Sequence, residues 1–133
     1  MQFEGIFTPI VTPYYNDFSL NGNALAETVE HLIEAGVHGI VVAGSTGEYY
    51  AQDPEERLEM MTRCAGLING RVPIVIGTGA IRTEDSIMYA KAAKKAGADA
   101  LLVATPPYAY PTGREIALHL SLIHISEPTR RTP

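Results

Sequence analysis

Gly39-Ile40-Val41-Val42-Ala43-Gly44-Ser45-Thr46-Gly47-Glu48 runs an unbroken apolar stretch directly into a loop that holds two adjacent hydroxyls between glycines. A parallel strand buried on both faces reads as such a continuous run. Gly44 and Gly47 let backbone approach a ligand closely, and Ser45 and Thr46 can donate hydrogen bonds. The stretch therefore predicts a buried strand that delivers a small-carboxylate loop. The same letters also serve an ordinary strand-to-helix turn, since Gly and Ser are common turn residues.

Working outward, three more apolar runs alternate with helical patterns, as repeated β/α units around a parallel sheet require. Strands are expected at Ile6 to Thr12, Gly39 to Ala43, Pro73 to Gly77 and Ala100 to Ala104, each buried on both faces. Leu25, Val29, Leu32 and Ile33 recur at i, i+4, i+7 and i+8 and mark a first helix that Gly36 ends. Asp53 as N-cap, Pro54 at the first helical position, and Glu55 and Glu56 in the first turn open a second helix. Leu58, Met61, Ala65 and Ile68 should face inward before Gly70 ends it. A third helix runs from about Thr83 to Ala96, with Ala90 and Ala93 inward and Gly97 after it. Thr112-Gly113-Arg114-Glu115 has capping-box spacing and opens a fourth. Ala35 to Ala43 echoes Ala96 to Ala104, each joining a helix end to an apolar strand. Pattern alone fits both half of a barrel and a flavodoxin-like sheet.

Composition excludes several function classes. The 133 residues are 46% hydrophobic and 19% charged with a net charge of −5, which argues against nonspecific nucleic-acid binding. No run approaches the roughly 18 apolar residues that span a bilayer, so no membrane association is expected. The single cysteine, Cys64, reads as a small buried hydrophobe in a reducing cytoplasm. His31, His38, His119 and His124 are dispersed without a metal-ligand pattern, so no metal is expected. Gly77-Thr78-Gly79 lacks the spacing of a dinucleotide fingerprint, and no cofactor is expected.

The order and spacing of Gly44 to Glu48, Ile76 to Gly79 and Ala104-Thr105-Pro106-Pro107-Tyr108 resemble the dihydrodipicolinate synthase and N-acetylneuraminate lyase family of pyruvate-dependent aldolases. The resemblance runs from about Phe3 to about His119. It implies an α/β fold, the N-terminal half of a TIM (β/α)8 barrel with about four βα units, because a whole barrel takes about 250 residues. It also implies a lyase that acts on pyruvate or a related 2-oxo acid through a Schiff base and works as a homo-oligomer, a dimer or tetramer.

Carried over by position, Ser45 and Thr46 are the expected carboxylate-binding residues, with Ser45 replacing the more usual threonine. Tyr108 matches the tyrosine that joins a proton relay across a dimer interface, and an aromatic interface anchor is the other reading of it. Pro107 stands where many synthases have a second tyrosine, which puts in doubt a role in lysine biosynthesis. Thr78 can line the pocket or serve as a turn hydroxyl. Glu48 is expected either to orient the carboxylate loop through backbone hydrogen bonds or to stand exposed; Tyr49, Tyr50 and Tyr110 are expected at the rim or a subunit contact.

The resemblance places the nucleophilic lysine on a sixth strand and a phenolic acid/base on a fifth, both beyond the matched stretch. The lysines present are Lys91, Lys94 and Lys95, spaced as a solvated helix face. The chain is therefore expected to be inactive alone. A non-catalytic module that binds small carboxylates, or pairs with a complementary half-barrel, is the alternative of a different class. Residues 1–120 are expected to form the truncated barrel. Residues 121–133 do not match the family's pattern and read as an artefactual, adapter-like tail; as a native terminus, Ile123 would extend the fourth helix's apolar face until Pro128 breaks it.

Overall fold

The protein is described from a computed structural model covering residues 2–126. Four strands, β1 (Phe7–Pro9), β2 (Gly39–Val42), β3 (Ile74–Gly77) and β4 (Ala100–Leu102), alternate with α1 (Gly22–Glu34), α2 (Pro54–Ile68), α3 (Thr83–Ala96) and α4 (Gly113–Ser126). All strand pairs are parallel and the spatial order is β1-β2-β3-β4. That sequential order separates the two architectures which pattern left open, because a doubly wound sheet reverses direction next to its first strand.

The helix ends form where the caps predict. Asp53 and Glu56 make a reciprocal capping box at α2, and Thr112 and Glu115 make one at α4. Gly36, at φ 86°, follows α1 with its amide bonded to the Ile33 carbonyl, while the Val37 amide reaches the Leu32 carbonyl. These are the two bonds of a Schellman turn. Asn69, at φ 48°, takes the left-handed cap of α2 one residue before the expected Gly70. An asparagine tolerates that region because its short polar side chain bonds locally.

The core lies between the helices and one face of the sheet. Ile40 and Val42 of β2 and Ile74 and Ile76 of β3 pack with Leu25 and Val29 of α1 and with Met60, Met61, Cys64 and Ile68 of α2. Strand alternation sends Val41 and Val75, paired in register, to the opposite face. In α2, Met61 and Ile68 are buried as expected, but Leu58 and Ala65 are only half-buried, and Arg57, Met60 and Cys64 are buried beside them. Burial pushes the Cys64 thiol up to about 12, as suits an inert core cysteine.

The expectation that every strand is buried on both faces holds for the central pair and fails at the edges. Val41 alone is half-buried in β2 and all of β3 is buried, whereas Leu102 of β4 is 50% exposed and Pro9 of β1 is exposed. The ladders are also shorter than Ile6 to Thr12 and Ala100 to Ala104. Among the described residues, each edge strand has one neighbour to bond and one open side. Helix α4 runs through the expected boundary at 120/121, with Ile123 buried, and residues 127–133 of the tail lie outside the described residues.

Exposed Phe3, Ile6, Val11, Leu102, Leu118 and Leu122 leave much apolar surface uncovered, beside two unpaired strand edges. Such surface promotes association. The isolated chain is expected to bind a dye specific for apolar surface and to associate as its concentration rises. A monodisperse monomer with a cooperative thermal transition and little dye binding would contradict this.

Candidate functional site

The carboxyl ends of β1, β2 and β3 converge on the loop Gly44 to Gly47. The loop begins at Ala43, which takes φ 57° and so turns the chain sharply out of the sheet. The Gly47 amide bonds the Gly44 carbonyl at 3.0 Å and the Glu48 amide bonds the Ser45 carbonyl at 3.0 Å, giving two successive tight turns. Ser45 and Thr46 stand exposed at their crest, while Ala43, Gly44 and Gly47 are buried beneath.

The loop is held from both neighbouring strands. On the β1 side, the Thr12 hydroxyl donates to the Gly47 carbonyl at 2.7 Å, and a Cβ at Gly47 would come within 3.1 Å of the Ile10 carbonyl. Gln52 steadies that corner by donating from Nε2 to the Tyr14 hydroxyl at 3.0 Å and, more distantly, to Thr12 Oγ1 at 3.4 Å. On the β3 side, a Cβ at Gly77 would lie 2.0 Å from the Ala43 carbonyl oxygen. Only glycine lets these two strand ends touch backbone to backbone.

Glu48 fits the second of its two expected placements, an exposed loop carboxylate. Its side chain makes no capping hydrogen bond among the described residues and stands exposed, while the Thr12 hydroxyl braces the loop. Thr78 shares the same end of the sheet but is 0% exposed, below the surface where Ser45 and Thr46 lie. Its backbone amide bonds the Leu102 carbonyl at 3.0 Å, its carbonyl accepts the Ser86 hydroxyl at 2.7 Å, and its own Oγ1 has no partner among the described residues.

Arg57 belongs to none of the sequence motifs. It projects from α2 under the β3 end, where it donates to the Gly77 and Gly79 carbonyls. Burial pulls its guanidinium below the usual value, and the neighbouring Tyr89 and Tyr49 partly offset that. Arginine nevertheless stays protonated in proteins.

Tyr108 is 99% exposed at φ 70°, and Tyr110 is also exposed. The structure thus gathers Ser45, Thr46 and Thr78 at one sheet end and leaves Tyr108 free of that cluster's interior. His119 is buried, with Nδ1 2.8 Å from the Thr83 hydroxyl, and His38 Nδ1 accepts the Ile6 amide. Both tie elements together, and no group of three metal-ligating side chains occurs among the described residues. Lys91, Lys94 and Lys95 are exposed on α3, as their spacing predicts. No helix among the described residues is long and apolar enough to cross a membrane.

The sequence pattern of the dihydrodipicolinate synthetase family matches residues 2–129. The 4-hydroxy-tetrahydrodipicolinate synthase of Methanoculleus marisnigri is 39% identical over 122 residues, which are 90% of this chain and 42% of that protein. A crystal structure of a dihydrodipicolinate synthase superposes with a TM-score of 0.90 at 35% identity, covering 93% of this chain and 43% of that one. The Acinetobacter baumannii dihydrodipicolinate synthase, solved in complex with pyruvate, superposes at 0.91 with 37% identity, covering 94% and 43% respectively. The chain spans about two fifths of the length of the relatives it matches.

Proposed function

Because the chain belongs to the dihydrodipicolinate synthetase family and forms the first half of its (β/α)8 barrel, we propose that it is the carboxylate-binding half of a pyruvate-dependent Schiff-base lyase. The observation that carries this reading is the exposed Ser45–Thr46 pair, raised at the carboxyl end of a central strand and braced by Thr12 and Gly77. Barrel active sites are built at that end. Two hydroxyls and the backbone amides around them can hold a carboxylate in one orientation, which presents the adjacent keto carbon to a nucleophile. Thr78 belongs to the floor of the site.

The nucleophile must be an amine that is desolvated enough to lose its proton near neutral pH. It attacks the keto carbon, and loss of water leaves the imine. None of Lys91, Lys94 or Lys95 stands near the loop's strand ends, so that lysine is supplied from outside this sequence and the chain alone is inactive. Tyr108, fully exposed here, then serves at a subunit contact of a dimer or tetramer, either as a proton-relay hydroxyl or as an anchor. The buried free thiol of Cys64 suits a cytoplasmic setting. Which second substrate the complete enzyme takes depends on residues outside this half.

Joining this chain to the C-terminal half of the Methanoculleus marisnigri synthase gives a protein in which the reading can be tested. Thr46→Val there keeps the shape and removes one donor to a charged group. Such a bond contributes about 1.5–3 kcal/mol, so kcat/KM for pyruvate should fall roughly ten- to a hundredfold. Unchanged pyruvate kinetics would reduce the loop to a structural turn.

A second reading, a non-catalytic module that binds small carboxylates or pairs with a complementary half-barrel, is favoured by the open edges at β1 and β4. It predicts binding without a trapped imine in any closed form.

A further inference from the structure

Arg57 is a cation buried to 4% exposure whose partners among the described residues are carbonyls and rings, with no carboxylate. Nη1 donates to the Gly79 carbonyl at 2.9 Å and Nη2 to the Gly77 carbonyl at 3.1 Å. The guanidinium lies 3.8 Å from the Tyr89 ring centre and 4.9 Å from that of Tyr49, while its Nε has no hydrogen-bond partner among the described residues. The carbonyl between the two, that of Thr78, is taken by Ser86. Three successive carbonyls at the end of β3 are thus each fixed by a buried side-chain donor.

Packing α2 on the sheet does not require this arrangement. An apolar side chain of similar volume would fill the space without the cost of desolvating a charge. What the fork supplies is geometry, since one planar group spans two carbonyls that a lysine ammonium cannot reach together. The clamped turn is also the surface on which the ligand loop rests, for Gly77 touches the Ala43 carbonyl backbone to backbone.

We infer that Arg57 is a positioning residue: by pinning the Gly77 and Gly79 carbonyls it fixes the ledge under Ala43 and Gly44, and so holds Ser45 and Thr46 in their ligand-binding geometry. The inference rests on the reading of Ser45 and Thr46 as the carboxylate grip.

Amide hydrogen exchange of the 133-residue chain at low micromolar concentration, resolved by peptide, tests it in Arg57→Met, Arg57→Lys and Ser86→Ala. Segments 43–49 and 75–80 should exchange about tenfold or more faster in both Arg57 variants, with segment 25–33 of α1 unchanged. Ser86→Ala should accelerate the same two segments to a smaller degree, and it decides the matter if the Arg57 variants do not fold. Unchanged loop exchange, an equal rise in all three segments, or full protection in Arg57→Lys would each overturn the inference. Failure of the carboxylate reading shows separately, as no slowing of segment 43–49 by sodium pyruvate in the unaltered chain while the Arg57 effect persists.

Discussion

Alanine at position 77 will cost about 3 kcal/mol of stability in the barrel closed by a relative's C-terminal half, near the upper end for overpacking a core. The added Cβ would sit 2.0 Å from the Ala43 carbonyl oxygen and 2.7 Å from its carbon, and both are backbone atoms. A flexible side chain could swing aside; a strand end cannot. Ala43 is already in the left-handed region, and Val42 and Ile76 are locked in register beside it. The loss should lower the melting temperature by roughly 5 °C. Pyruvate binding should fall with it, because the same contact supports the Ser45–Thr46 loop. Gly66→Ala is the control: nothing lies within 4 Å of a Cβ there and the position is inside α2, so alanine should stabilise by about 0.5–1 kcal/mol. Thermal unfolding of the two variants decides the matter, and a Gly77→Ala protein within about 1 kcal/mol of the unaltered one would refute the backbone contact.

What the sequence reveals here is local chemistry. The C-terminal ends of α1 and α3, both ends of α2 and the opening of α4 could be read because caps and left-handed residues act within a few positions, as Asp53 with Glu56 and Gly97 after α3 illustrate. The Ser45–Thr46 loop could be read for the same reason, since its strand, glycines and hydroxyls are contiguous. The exposure of β1 and β4 could not, because an apolar run carries no sign of whether a neighbour stands on each side. Nor could the bracing of the loop, for Thr12 meets Gly47 and Arg57 meets Gly77 only after the sheet has formed. Arg57 did leave one signal. It shares the stripe 57, 60, 61, 64, 68 with the buried residues of α2, where a lone charge among apolar neighbours implies a buried partner.

The proposed function divides the labour: this chain grips the carboxylate and another segment carries the amine. Lys91, Lys94 and Lys95 are all exposed on α3, away from the strand ends that carry Ser45 and Thr46. Borohydride delivers hydride to an imine and makes its carbon–nitrogen bond permanent, so intact mass reads directly whether a Schiff base has formed. The measurement is therefore treatment with pyruvate and borohydride of this chain alone and of the same chain joined to the C-terminal half of the Methanoculleus marisnigri synthase. The predicted result is an unchanged mass for the chain alone and one stable adduct per joined protein, on a lysine of the added half. Stoichiometric labelling of Lys91, Lys94 or Lys95 in the chain alone would contradict the claim.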